Sequence, residues 1–242
     1  GPGTEKDVLD SALGQGRYRL SGKGIELVRM AREGLPVPEG IIVPATFDVT
    51  RTVNSAVSAV SDWPHGDEVL GSSERPLVVS VRSGGYFSMP GQLPTIVNVG
   101  LSRSTIDGFM KVLSEKHGLG EDEAAWTAWD SYARFLRSYA GEVMKISEEE
   151  FIREDERVFS QYGVSGGIEL GWEDKRALAE RYENLIERLR PGEFPASPEE
   201  QFEKSVEAVK SAWEGTEKYR ENIRLNGHWP GTAVIVQKMV YG

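Results

Sequence analysis

Hydrophobic and polar residues follow different rhythms along this chain. Between Lys23 and Glu33 the apolar positions Ile25, Leu27, Val28 and Ala31 fall on one helical face, and Gly34 stands where a glycine would end that helix. The stretch Leu35-Pro36-Val37-Pro38-Glu39-Gly40 predicts a stiff extended turn leading into a short strand, Ile41-Ile42-Val43. Phe47 to Val60 reads as a lightly amphipathic helix, and Trp63-Pro64-His65-Gly66 punctuates the chain after it. The run Pro76-Leu77-Val78-Val79-Ser80-Val81 is apolar on both faces and β-branched, the pattern of a strand covered on both sides, and Thr95 to Val99 is a second β-prone run.

From about Ser102 the rhythm lengthens. Helical patterns cover Ala124–Ile146, Ser147–Ser160 and Glu173–Arg190, with Ser147 and the acidic run Glu148-Glu149-Glu150 forming a good helix start. Pro191-Gly192-Glu193-Phe194-Pro195-Ala196-Ser197-Pro198 marks a boundary. A helix from Pro198 to Trp213 comes next, and a Val/Ile-rich strand, Thr232 to Tyr241, comes last. That last strand needs a partner. The nearest solution is the sheet of the first segment, which makes the helical block between them an insertion and the fold class α+β.

Composition narrows the chemistry. The chain has 242 residues, 39% hydrophobic and 27% charged, as expected of a soluble globular protein. Its 28 basic and 38 acidic residues give a net charge of −10, which argues against nucleic acid and anionic membranes as partners. With no cysteine, thiol and thiolate-metal chemistry are excluded. His65, His117 and His228 lack metal-binding spacing, and no apolar run is long enough to span a bilayer. Gly1-Pro2-Gly3-Thr4 reads as a tag-cleavage scar rather than a signal peptide, and the expected compartment is the cytoplasm.

On a body this acidic, a phosphate ligand needs a local cluster of cations and backbone N–H groups. Two stretches qualify. Ser21-Gly22-Lys23-Gly24 opens a helix and is either a capped, exposed helix start or a phosphate cradle. Arg82-Ser83-Gly84-Gly85 directly succeeds the apolar strand, where Arg82 either pairs with a nearby carboxylate or grips phosphate oxygens. Trp129, Tyr132 and Phe135 lie at three-residue spacing and read as core. Asp130 and Arg134, four apart, read as a helix-surface pair.

In their order along the chain these stretches resemble the N-terminal nucleotide-binding region of the pyruvate, phosphate dikinase family of phosphohistidine-carrier phosphotransferases. The residues that carry the resemblance are Gly22-Lys23-Gly24, Gly34 to Gly40, Leu77 to Gly84, Ser88-Met89-Pro90-Gly91 and Thr95 to Leu101. Further on they are Trp129-Asp130-Ser131-Tyr132 with Arg134-Phe135, Phe194-Pro195, Gly231 to Val234, Val236-Gln237 and Met239 to Gly242. The resemblance implies an ATP-grasp-like mixed sheet subdomain, residues 5–100 together with 198–242, and an inserted all-helical subdomain, 101–197. It implies that Lys23, with Gly22 and Gly24, contacts ATP phosphates; that Arg82, with Ser83 and Gly84, stabilises charge on the transferring phosphoryl group; and that Arg134 reaches phosphate from the helical subdomain.

ATP with Mg²⁺ is the implied cofactor of the full-length protein, with the magnesium ligands outside this chain. The implied partners are the phosphohistidine and pyruvate/phosphoenolpyruvate domains, also outside this chain, and a second copy in a homodimer. The pattern departs from the family at Ser21, at Gly85-Tyr86 and at Gln92-Leu93-Pro94, positions where the family commonly carries a glycine, a cation and a carboxylate. With the magnesium ligands and the phosphohistidine and pyruvate domains outside this chain, the resemblance implies an enzyme fragment that is inactive alone. The alternative is a stand-alone nucleotide-binding or regulatory module descended from the same family.

Overall fold

The structure, a computed structural model, describes residues 20, 22–63, 66–84, 93–214, 221 and 232–241. The expected scar, Ser21, Pro64-His65, Gly85-Tyr86, Ser88 to Gln92, His228, Gly231 and Gly242 lie outside the described residues. Among the described residues the chain is α+β, with seven helices and a four-stranded sheet. The helices are α1 (22–32), α2 (Val49–Ser61), α3 (Ile106–His117), α4 (Glu121–Glu142), α5 (Glu148–Tyr162), α6 (Trp172–Leu189) and α7 (Pro198–Glu214). The strands are β1 (Gly40–Val43), β2 (Val79–Gly84), β3 (Thr95–Val99) and β4 (Ala233–Lys238), in the order β1-β4-β2-β3. The last strand therefore sits inside the sheet, antiparallel to β1 with Gly40 opposite Gln237 and Val43 opposite Val234. Among the described residues no helix is long and apolar enough to cross a membrane.

Several boundaries move for identifiable reasons. Helix α2 starts at Val49 rather than Phe47, because the Asp48 carboxylate accepts the Arg51 N–H at 2.7 Å and caps the first turn. Strand β2 starts at Val79 rather than Pro76. Pro76 has no N–H to give a ladder and forms only an isolated bridge with Val69, whose carbonyl takes the Leu77 N–H at 3.0 Å. At its other end β2 continues through Arg82, Ser83 and Gly84, so these residues lie within the strand rather than after it. Helix α3 goes beyond the predicted elements, although Ile106, Phe109, Val112 and Leu113 are buried at helical spacing and Gly118 closes the helix in a left-handed conformation.

Contacts divide the chain into two units. One comprises Gly1–Val60, Val81–Thr95 and Val206–Lys238; the other comprises Ser61–Ser80, Ile96–Ser205 and Met239–Gly242. The second is built around α4, which packs against α3, α5 and α6. Its small residues Ala124, Ala125, Ala128, Ala133 and Ala140 are buried along with Trp129, Tyr132, Phe135, Leu136 and Tyr139. The three-residue aromatic spacing is core, as its periodicity predicts, and Phe135 and Tyr139 each meet Phe194, the latter at 5.3 Å edge-on. In the first unit Val81 on β2 and Val234, Ile235 and Val236 on β4 are almost completely buried. β1 lies so close to β4 that a Cβ at Gly40 would come within 2.7 Å of the Val236 carbonyl oxygen.

Candidate anion site

Helix α1 packs against β1 at Gly24, which is buried; a Cβ at that position would lie 3.2 Å from Cδ1 of Ile42. The glycine thus lets the helix settle on the strand, while its neighbour Lys23 stays exposed and Gly22 is partly covered. Leu20 is already helical, so the described residues do not place the expected helix start at Gly22-Lys23-Gly24. Ile25, the first apolar position of the helical stripe, is buried and anchors the turn.

Arg82 occupies the fourth position of β2. Side chains alternate across a strand, so Arg82 projects to the face opposite Val81, and it is half-buried. One guanidinium nitrogen, Nη2, donates to Oε1 of Gln237 on β4. The buried Nε has no hydrogen-bond partner among the described residues. Burial pulls the Arg82 pKa below its ordinary value, yet an arginine remains charged at any physiological pH. Lys23 is also lowered, first by desolvation and then by the positive charge of Arg82. Among the described residues, no carboxylate pairs with either cation.

A partly desolvated arginine without a carboxylate, whose charge also opposes that of Lys23, is an unfavourable arrangement that an anion would relieve. Phosphate oxygens fit the donor set: a compact ammonium, and a planar guanidinium with its Nε–H still available. The charge of Arg82 is felt at Lys23, and Ser83 and Gly84 are buried at the end of β2. The other reading of Arg82, a pairing with a local carboxylate, is not found among the described residues, where its partner is an amide.

Arg134 is held differently. Its Nε lies 2.6 Å from Oδ2 of Asp130, while the other oxygen of Asp130 is bound by the buried ammonium of Lys175. Lys175 in turn sits 4.6 Å from the Trp126 ring. The expected surface pair is therefore a three-residue cluster whose carboxylate is largely buried, and only Arg134 extends into solvent. Sequence reasoning missed the roles of Gln237 and Lys175. The signal for the first was present: a lone amide ends the apolar run Ala233-Val234-Ile235-Val236.

No family model matches the chain. Curated proteins do. The chain is 35% identical over 247 residues to pyruvate, phosphate dikinase of Rhizobium meliloti (strain 1021), covering 93% of this chain and 26% of that protein. It is 32% identical over 240 residues to the pyruvate, phosphate dikinase of Clostridium symbiosum, and 32% over 244 residues to that of Giardia intestinalis, with the same coverage of 93% and 26% in each case. The chain spans about a quarter of the length of these curated relatives. Over almost its whole length, this chain is a relative of one segment of the pyruvate, phosphate dikinases.

Proposed function

We propose that this chain is the N-terminal, phosphate-holding part of an ATP-dependent phosphotransferase of the pyruvate, phosphate dikinase type, which transfers a phosphoryl group to a carrier histidine outside these 242 residues. The observation that carries this reading is Arg82: a half-buried guanidinium held by an amide, with a buried N–H unsatisfied and no carboxylate paired to it among the described residues, whose charge also helps to lower the pKa of Lys23. Phosphoryl transfer asks a protein mainly for positioned positive charge, because charge spreads over the phosphoryl oxygens in the transition state. Lys23 binds and orients the phosphate chain, and Arg82 sits where it meets the transferring group. Arg134 reaches phosphate from the helical subdomain once it leaves or shares Asp130. ATP supplies the phosphoryl group, and the proposal places no magnesium ligand on this chain. The functional division it implies is a nucleotide-binding subdomain, 5–100 with 198–242, and a helical subdomain, 101–197.

Calorimetry with ATP, with and without magnesium, tests this. The expected dissociation constant is about 1 mM or weaker, about 4 kcal/mol of binding, with no turnover by the isolated chain. Lys23→Ala and Arg82→Ala each weaken binding further. Micromolar, magnesium-dependent binding or measurable ATP hydrolysis would show that the site is complete within this chain.

A further inference from the structure

We infer that Gln237 is a charge-neutral positioning residue, which fixes the Arg82 guanidinium in the phosphate site without neutralising it. The inference rests on the phosphate-site reading and adds a residue that the reading does not include.

Gln237 is buried near the end of β4, directly opposite Gly40 of β1. Its two amide atoms have distinct tasks. Nε2 donates to the Pro38 carbonyl oxygen at 3.0 Å, and Oε1 accepts from Nη2 of Arg82. A backbone carbonyl can only accept, so the bond to Pro38 fixes which end of the amide faces Arg82. The Pro38 carbonyl belongs to the stiff Pro-containing turn that leads into β1, and the close approach of β1 and β4 at Gly40 holds that turn against the amide. Arg82 is thus oriented through a short chain that starts at backbone and ends at Nη2.

The choice of an amide matters electrostatically. A glutamate of the same length could accept from Arg82, but would lose the donor to Pro38, cancel the charge of Arg82 and place a negative group beside the incoming phosphate. Arg103 and Arg137, two other arginines with well-formed partners, are held by carboxylates. Gln237 keeps the geometry of such a pair and omits its charge.

The test titrates the whole chain with inorganic triphosphate, following the Arg82 side-chain Nε–H signal in proton–nitrogen NMR spectra. The expected result is saturable binding that Arg82→Ala and Lys23→Ala reduce. Gln237→Glu should weaken binding about tenfold or more, and Gln237→Met, which keeps the length and removes the hydrogen bonds, by about fivefold. If the glutamate variant does not fold, the methionine variant carries the test. In an Arg82→Ala background Gln237→Met should not change affinity further, because the amide acts on the anion through Arg82, whereas the new charge of Gln237→Glu still repels phosphate there. Native-like affinity in both Gln237 variants overturns the inference while leaving the phosphate site standing, as does an equal loss from Gln237→Met with and without Arg82. Failure of the unaltered chain to bind triphosphate overturns the phosphate site itself, and the inference with it.

Discussion

Arg137 in the helical unit and Arg82 in the sheet-containing unit are both partly buried, and they are treated in opposite ways. Arg137 donates to Glu148 and Asp155 and touches the Tyr182 hydroxyl, which itself donates to Asp155. Burial alone would lower its pKa, but these partners more than offset that and raise it. Arg103, whose guanidinium is fastened to Glu183 and Glu180, is raised as well, chiefly by its hydrogen bond to Glu183. Arg82 has an amide, an unsatisfied Nε and a lysine for company, and its pKa falls. A cation given carboxylates ties helices together. A cation denied them costs the fold around it some stability, which is why Arg82 is the one proposed to meet a ligand.

The sharpest way to break this contrast is to remove the paired arginine. Arg137→Ala leaves the carboxylate of Asp155 and the Tyr182 hydroxyl without their shared donor between α4, α5 and α6. It should cost about 2–3 kcal/mol in urea unfolding, with triphosphate affinity unaltered. A loss below about 0.5 kcal/mol would mean that the network holds nothing together.

Arg82→Met makes the converse case. It keeps much of the apolar stem, removes one hydrogen bond to Gln237 and removes a desolvated charge. The unfolding free energy should change by less than about 1 kcal/mol, because the lost bond and the relieved desolvation oppose each other. Triphosphate affinity should fall by about tenfold in the same preparation. A variant that unfolds readily and still binds triphosphate would reverse the assignment and make Arg82 a structural cation.

The same contrast explains what the sequence could and could not reveal. All the helices except α3 were legible because burial on one side imposes a period: Ile25 to Ala31, the Ala and aromatic positions of α4, and the Ser147 start of α5, whose hydroxyl accepts the Glu149 N–H. β1, β3 and β4 were legible from short β-branched runs. The beginning of β2 was not, because Leu77 and Val78 are as apolar as the strand proper, and burial rather than pairing selects for that. Lys23 and Arg82 stood out as cations beside glycines or small residues. What their neighbours do was illegible, because Gln237 lies 155 residues from Arg82, and Lys175, which holds Asp130, is 45 residues from it. A charge in the sequence says nothing about whether it is neutralised, and only the fold decides whether Arg134 meets a carboxylate or Arg82 an amide.

The smallest expected effect is the pH dependence of Lys23. Desolvation first, and then the charge of Arg82, set its folded pKa below the ordinary lysine value of 10.5. Between that lowered pKa and 10.5 the unfolded chain holds a proton at this position that the folded chain has released, so the Lys23 contribution to stability rises with pH across that window. Below the window both states are protonated, and the folded state bears the full cost of desolvation and of repulsion with Arg82. Lys23→Met should therefore raise the thermal midpoint slightly near neutral pH, and this advantage should fade as pH climbs toward 10.5. Bound triphosphate has the opposite effect, since its negative charge favours the ammonium and raises the pKa again. Affinity in the unaltered chain should fall as pH rises through the lowered pKa, and binding within that range should take up protons, visible as a buffer-dependent heat in calorimetry. Lys23→Met should show neither the fall nor the proton uptake. A methionine variant that melts earlier than the unaltered chain at about pH 7, or a triphosphate affinity that rises with pH over this range, would mean that Lys23 is already paired and that the two regions of the molecule handle their cations alike.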